Sequence, residues 1–148
     1  TLVEELFVSA AVSVFEDELY ALVAEGQAVT VAALDAAWLT AQRAAYGGAL
    51  DVPAHVGSGW ARLPSLATQP GHAISYVWAT VLALAVAARH PADAERAVAT
   101  ALAAGGVDAD EFTALLGFDG DEWVDAGLAA LSRELARLAQ LVAALAAG

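Results

Sequence analysis

Between Leu2 and about Glu25, apolar residues return every three or four positions, at Leu6, Phe7, Ala10, Val14, Phe15, Leu19 and Leu22. This is the repeat of a helix that buries one face, and Gly26 supplies its stop. Thr30 is placed to cap a second helix that carries Leu34, Trp38 and Leu39 inward and runs to about Tyr46, before Gly47-Gly48. The periodicity then lapses for roughly twenty residues punctuated by Pro53, Gly57, Gly59, Pro64 and Pro70. A loop of that length inside a folded domain tends to be functional or disordered.

A third helix is predicted from about Gly71 to His90. The sixteen residues from Ala73 to Ala88 are apolar nearly all round, which marks a helix buried in a globular core. It is too short for the roughly 20 residues of a membrane span, and Ser75, Tyr76 and Thr80 interrupt it. Pro91 suits the first turn of a fourth helix over Ala92 to Ala104, closed by Gly105-Gly106. Asp108 and Glu111 have the spacing of a capping box for a short fifth helix through Leu116. The last helix, about Asp121 to Ala147, sets Leu128, Leu131, Leu135, Leu138, Val142 and Leu145 at alternating steps of three and four, a heptad seam. That seam fits packing against another helix of the same chain, or contact with a second chain.

Composition agrees with this pattern. Alanine and leucine dominate, and the 148 residues suffice for one domain with a real core. The expected fold is therefore all-α, about six helices, in a single helical domain over 1–148. Charge then narrows the partners. Eighteen acidic residues face six arginines and no lysine, for a net charge of −12, which disfavours a phosphate backbone and an anionic membrane surface. Neither nucleic acid nor membrane is expected as a partner. No cysteine is present, so disulfides, thiolate metal sites and cysteine nucleophiles are excluded together. The acidic start, Thr1-Leu2-Val3-Glu4-Glu5, lacks the basic region of a secretory signal, and the default expectation is a cytoplasmic protein. With no methionine in the chain, Thr1 is read either as the residue left by initiator removal or as a cut end.

Several segments, taken in order, resemble the oligoendopeptidase F and thimet oligopeptidase family of zinc metallopeptidases. Trp60-Ala61-Arg62-Leu63-Pro64-Ser65-Leu66 is similar to that family's tryptophan followed by an Ile-Pro-His-Phe-like stretch. Ala73-Ile74-Ser75-Tyr76-Val77-Trp78-Ala79-Thr80 is similar to its tyrosine-opened helix. Phe7 to Glu25 with Gly26 and Thr30, Ala45-Tyr46-Gly47, Ala104-Gly105-Gly106, Leu115 to Asp119 and Glu122 to Leu128 resemble further segments in the same order. The resemblance covers essentially the whole chain. It implies the C-terminal helical part of a zincin-type oligopeptidase catalytic domain.

Members of that family hydrolyse short peptides with a zinc ion held by the two histidines of HExxH and a distal glutamate. In the order of the family's segments, this stretch follows those ligands. The histidines here, His55, His72 and His90, form no such pair. His90 with Asp93 reads as a solvated helix end. Neither catalytic nor metal-binding residues are therefore expected within the chain, and zinc enters only if a partner chain supplies HExxH. What the resemblance places in this region is the substrate side, a loop histidine and tyrosines that donate to the oxyanion. Ser65 stands where that histidine is expected, Ala73 and Ile74 stand at the tyrosine positions, and Tyr76 and Trp78 look like packing positions. His72 is a substitute donor or a loop histidine facing water. Ser65, His72 and Tyr76 are the candidate substrate-binding residues.

Glu4, Glu5, Glu16, Asp17 and Glu18 suggest a solvated helix face more than paired carboxylates for acid-base work, with Glu18 nearest the apolar side. Gly57-Ser58-Gly59 is too short for a phosphate loop. Two functions follow. One is the substrate-cleft portion of a zinc oligopeptidase-like protein, acting on peptides with a separate HExxH-bearing chain or segment. The other is a catalytically inactive relative that binds a peptide or protein, and a helical scaffold or homo-oligomer assembled through the heptad seam stands behind both.

Overall fold

The computed structural model describes residues 2–146, and side chains from residue 6 onward. Thr1, the predicted final helical residue Ala147, and the side chains of Glu4 and Glu5 lie outside the described residues. Everything regular within them is helix: α1 Leu2–Ala24, α2 Val31–Tyr46, a 3-10 helix Ala54–Arg62, α3 Ser65–Thr68, α4 Ala73–Arg89, α5 Ala94–Ala104, α6 Ala109–Leu115 and α7 Glu122–Ala146. The all-α expectation holds, with two short helices beyond the six expected. Both fall in the stretch expected to be loop. Contacts divide the chain into two compact units, Thr1–Trp78 and Ala79–Gly148, the boundary falling within α4.

In the first unit, α1 and α2 form an antiparallel pair. Phe7 near the start of α1 meets Tyr46 at the end of α2, with ring centroids 6.0 Å apart, and Phe15 meets Trp38 edge-on at 5.3 Å. The Thr30 side chain accepts the Ala33 N–H at 3.2 Å, as the cap reading required. Val12, Phe15, Trp38 and Ala41 are the buried centre, with Leu34, Trp60, Leu63, Leu66 and Ala73 packed around it. One member of the predicted α1 stripe and one residue of its predicted solvated face need correction. Val14 is exposed and Glu16 is buried, because the buried face is centred on Val12 and Phe15, one step round from Val14.

The 3-10 helix forms where loop was expected because it has a surface to pack on. The Trp60 indole Nε1–H donates to Asp35 Oδ1 of α2 at 2.7 Å. Gly59 lies so close to the Trp38 indole that a Cβ there would stand 2.8 Å from Nε1, and that buried nitrogen has no hydrogen-bond partner among the described residues. Trp60→Phe leaves the half-buried Asp35 carboxylate without its donor. It should lower stability by about 1–3 kcal/mol, read as a fall in the urea midpoint at unchanged slope.

The second unit is built from the rest of α4 with α5, α6 and α7. Val81, Ala85, Val86, Ala101, Leu116, Phe118, Trp123 and Ala130 are its buried apolar residues. Asp108 Oδ1 accepts the Glu111 N–H at 2.9 Å and opens α6 as predicted. After α6 the chain turns at Leu116, whose carbonyl accepts the His90 Nε2–H at 3.0 Å. His90 is thus half-buried and engaged rather than a solvated helix end. Asp93 lies 3.9 Å from its other ring nitrogen. Arg89 covers the Phe118 ring at 4.7 Å and reaches Glu122 at 3.3 Å.

Two expectations about apolar faces change. Buried positions of α4 begin at Val81, whereas Ile74, Tyr76 and Trp78 in its first turns are exposed, so the helix is not enclosed along its length. Of the heptad seam on α7, Leu131 and Leu135 are half-buried, and Leu128, Leu138, Val142 and Leu145 are exposed, the last at 83%. No helix among the described residues is long and apolar enough to cross a membrane.

Candidate functional site

The three residues singled out from sequence, Ser65, His72 and Tyr76, line one cleft of about 250 Å³ in the first unit. Three segments build it. α1 contributes Val8, Ser9, Val12 and Glu16; the stretch from Leu63 through α3 contributes Leu63, Ser65 and Gln69; the start of α4 contributes His72, Ala73 and Tyr76. The volume falls just below the roughly 300–1,000 Å³ usual for small-molecule sites. It suits one side chain or a small ligand rather than a long extended peptide.

Local sequence explains why these segments meet. Pro64 opens α3, a single turn in which the Gln69 N–H returns to the Ser65 carbonyl at 2.7 Å. Pro70 and Gly71 then reverse the chain into α4. Gly71 has φ +75°, in the left-handed region where a side chain is strained, and the turn presents its N–H to Glu16 Oε1 at 2.8 Å. The Ser75 hydroxyl donates to the His72 carbonyl at 2.7 Å, tying down the first turn of α4. The His72 ring then stands edge-on to Tyr76 with centroids 5.0 Å apart. Both side chains are exposed, so His72 faces water and the cleft together, and Tyr76 is not the packing residue its position suggested.

Glu16 is the site residue that sequence reasoning placed with the solvated acids. It is only 5% exposed, whereas its neighbours Asp17 and Glu18 are exposed. Its signal was present in the spacing, since Glu16 follows Val12 by four and precedes Leu19 by three, which puts it on the Val12–Phe15 face. Of the two positions where the family resemblance implied tyrosines, Ala73 lines the cleft and Ile74 is exposed, and neither carries a hydroxyl.

Chemically the cleft offers a carboxylate, two serine hydroxyls, an amide, an imidazole and a phenol, set against Val8, Val12, Leu63 and Ala73. That is a binding surface in which polar and apolar side chains line one cleft. His55 lies at a separate depression of about 230 Å³ with Ser58 and Arg62, and His90 lies in the second unit. Among the described residues no group of three or more His, Asp or Glu side chains is positioned to hold a metal ion. No family model, curated protein or solved structure matches the chain.

Proposed function

We propose that this chain binds peptide through the cleft of its first unit, as the substrate-cleft part of a zinc oligopeptidase-like protein whose HExxH is carried on another chain or segment. The observation that carries the proposal is the convergence of Ser65, His72 and Tyr76, chosen from the sequence resemblance, on a single cleft. Among the described residues no three ligating side chains come together, and in this reading zinc is held by the other chain or segment. No step in this chain runs through the metal. Its residues bind and orient: the apolar walls take a side chain, and Ser65, His72 and Tyr76 offer hydrogen bonds to peptide groups.

A second reading has an observation in its favour. The cleft is assembled wholly within residues 8–76, with a buried acidic residue of its own, so binding needs no catalytic partner. In that reading the domain is a catalytically silent peptide binder.

Titration calorimetry with short apolar peptides on the full chain tests the shared claim. Tyr76→Ala should weaken binding about two- to tenfold, the scale of one aromatic contact, without shifting the thermal midpoint, because Tyr76 is exposed. Unchanged affinity in that variant would remove the cleft from consideration. Native mass and zinc content of the protein recovered from its source then separate the two readings: a heteromer with about one zinc supports the oligopeptidase assembly, and a zinc-free monomer or homodimer supports the silent binder.

A further inference from the structure

We infer that Glu16 anchors a primary ammonium group, so that the cleft receives the amine-bearing end of its ligand; this rests on the peptide-binding reading and narrows it. Glu16 is 95% buried in the wall of the cleft. Its Oε1 accepts the Gly71 N–H, while Oε2 makes no hydrogen bond or ion pair among the described residues. A carboxylate has about four acceptor sites. One neutral donor leaves most of them to the cleft, and a buried charge without a partner is costly. No arginine lines the cleft to serve as counter-ion.

The remaining geometry suits a primary ammonium. Gly71 takes one acceptor site of Oε1, and a compact ammonium needs only Oε2 and nearby neutral acceptors. Ser9, Ser65 and Gln69 line the same cleft and carry such acceptors. Val8, Val12, Leu63 and Ala73 provide an apolar wall for the carbon skeleton attached to the nitrogen. The wider field favours the same sign, since residues 1–78 hold eight carboxylic acids against two arginines. A peptide carboxylate would be repelled, whereas an N-terminal or lysine ammonium fits.

The test uses the full chain and four probes in calorimetry: Leu-Ala-Ala-Ala amide, its N-acetylated form, N-acetyl-Ala-Ala-Ala-Lys amide, and n-butylamine. The free amino terminus should bind at least about tenfold more tightly than the acetylated form. Glu16→Gln should remove about the same factor from the free peptide and little from the acetylated one. Binding of the lysine peptide through Glu16, without preference for the free terminus, would keep the ammonium site and assign it to a side chain. Equal binding of the free and acetylated peptides, with no Glu16-dependent binding of the lysine peptide or of butylamine, overturns the ammonium anchor and leaves peptide binding standing. Glu16-dependent binding of butylamine with no peptide binding keeps the anchor and overturns the peptide reading, and silence from all four probes overturns both. The glutamine retains a carbonyl acceptor for Gly71, and the acetylation comparison in the unaltered chain does not depend on that variant folding.

Discussion

Phe15→Ala should destabilise the first unit by about 3–5 kcal/mol, the range for deleting a large aromatic side chain from a closed core. Phe15 is 1% exposed, and its ring meets Trp38 edge-on, so truncation removes buried area, an aromatic pair and the filling between α1 and α2 at once. Little can collapse into the space. Its neighbours Val12 and Ala41 are small, and the Trp38 indole is held closely against Gly59. Urea unfolding followed by tryptophan emission would show the transition of this unit moving to lower denaturant, or vanishing. A loss below about 1 kcal/mol would mean that the α1–α2 packing is not as described.

Gly127→Ala should cost the second unit about 1–3 kcal/mol or more through overpacking rather than a cavity. Gly127 is buried on α7, where that helix crosses α4 so closely that a Cβ would overlap the Val81 carbonyl and stand 2.6 Å from Val81 Cγ1. The obstructing carbonyl is backbone, which cannot rotate away as a flexible side chain would. The two helices must separate. In an isolated helix the same change would help by up to about 1 kcal/mol, because alanine is the better helix former. The sign of the measured change therefore tells whether α4 and α7 touch at this point. A thermal midpoint that rises in Gly127→Ala would sink the crossing.

Helix positions were largely readable from spacing and caps, because Thr30, Asp108 and the glycines after α1, α2 and α5 act through bonds only a few residues apart. The 3-10 helix was not, because what makes it a helix is the surface of α2, reached by Trp60 and Asp35 across 25 positions. The burial of α4 was overestimated for a related reason. Apolar character all round gives no direction, and only the packing of Val81, Ala85 and Val86 shows where burial begins. In the cleft, Ser65, His72 and Tyr76 came from the likeness of whole segments, whereas Glu16 required the register of α1 to within one residue. Counting Val14 into the stripe turned the face far enough to favour Glu18, and that small rotation hid the carboxylate.

The Glu16–Gly71 hydrogen bond spans 55 positions. Closing a flexible loop of that length costs about 3–4 kcal/mol in chain entropy, more than the roughly 1.5–3 kcal/mol such a bond returns. The bond therefore cannot shape the cleft by itself. The α1–α2 pair and the 3-10 helix must already have shortened the loop before Gly71 reaches the carboxylate. Ligand affinity at the cleft is thus tied to how completely the core beneath it is closed. A change at Trp38 or Trp60, neither of which lines the cleft, will weaken binding while leaving every lining side chain in place.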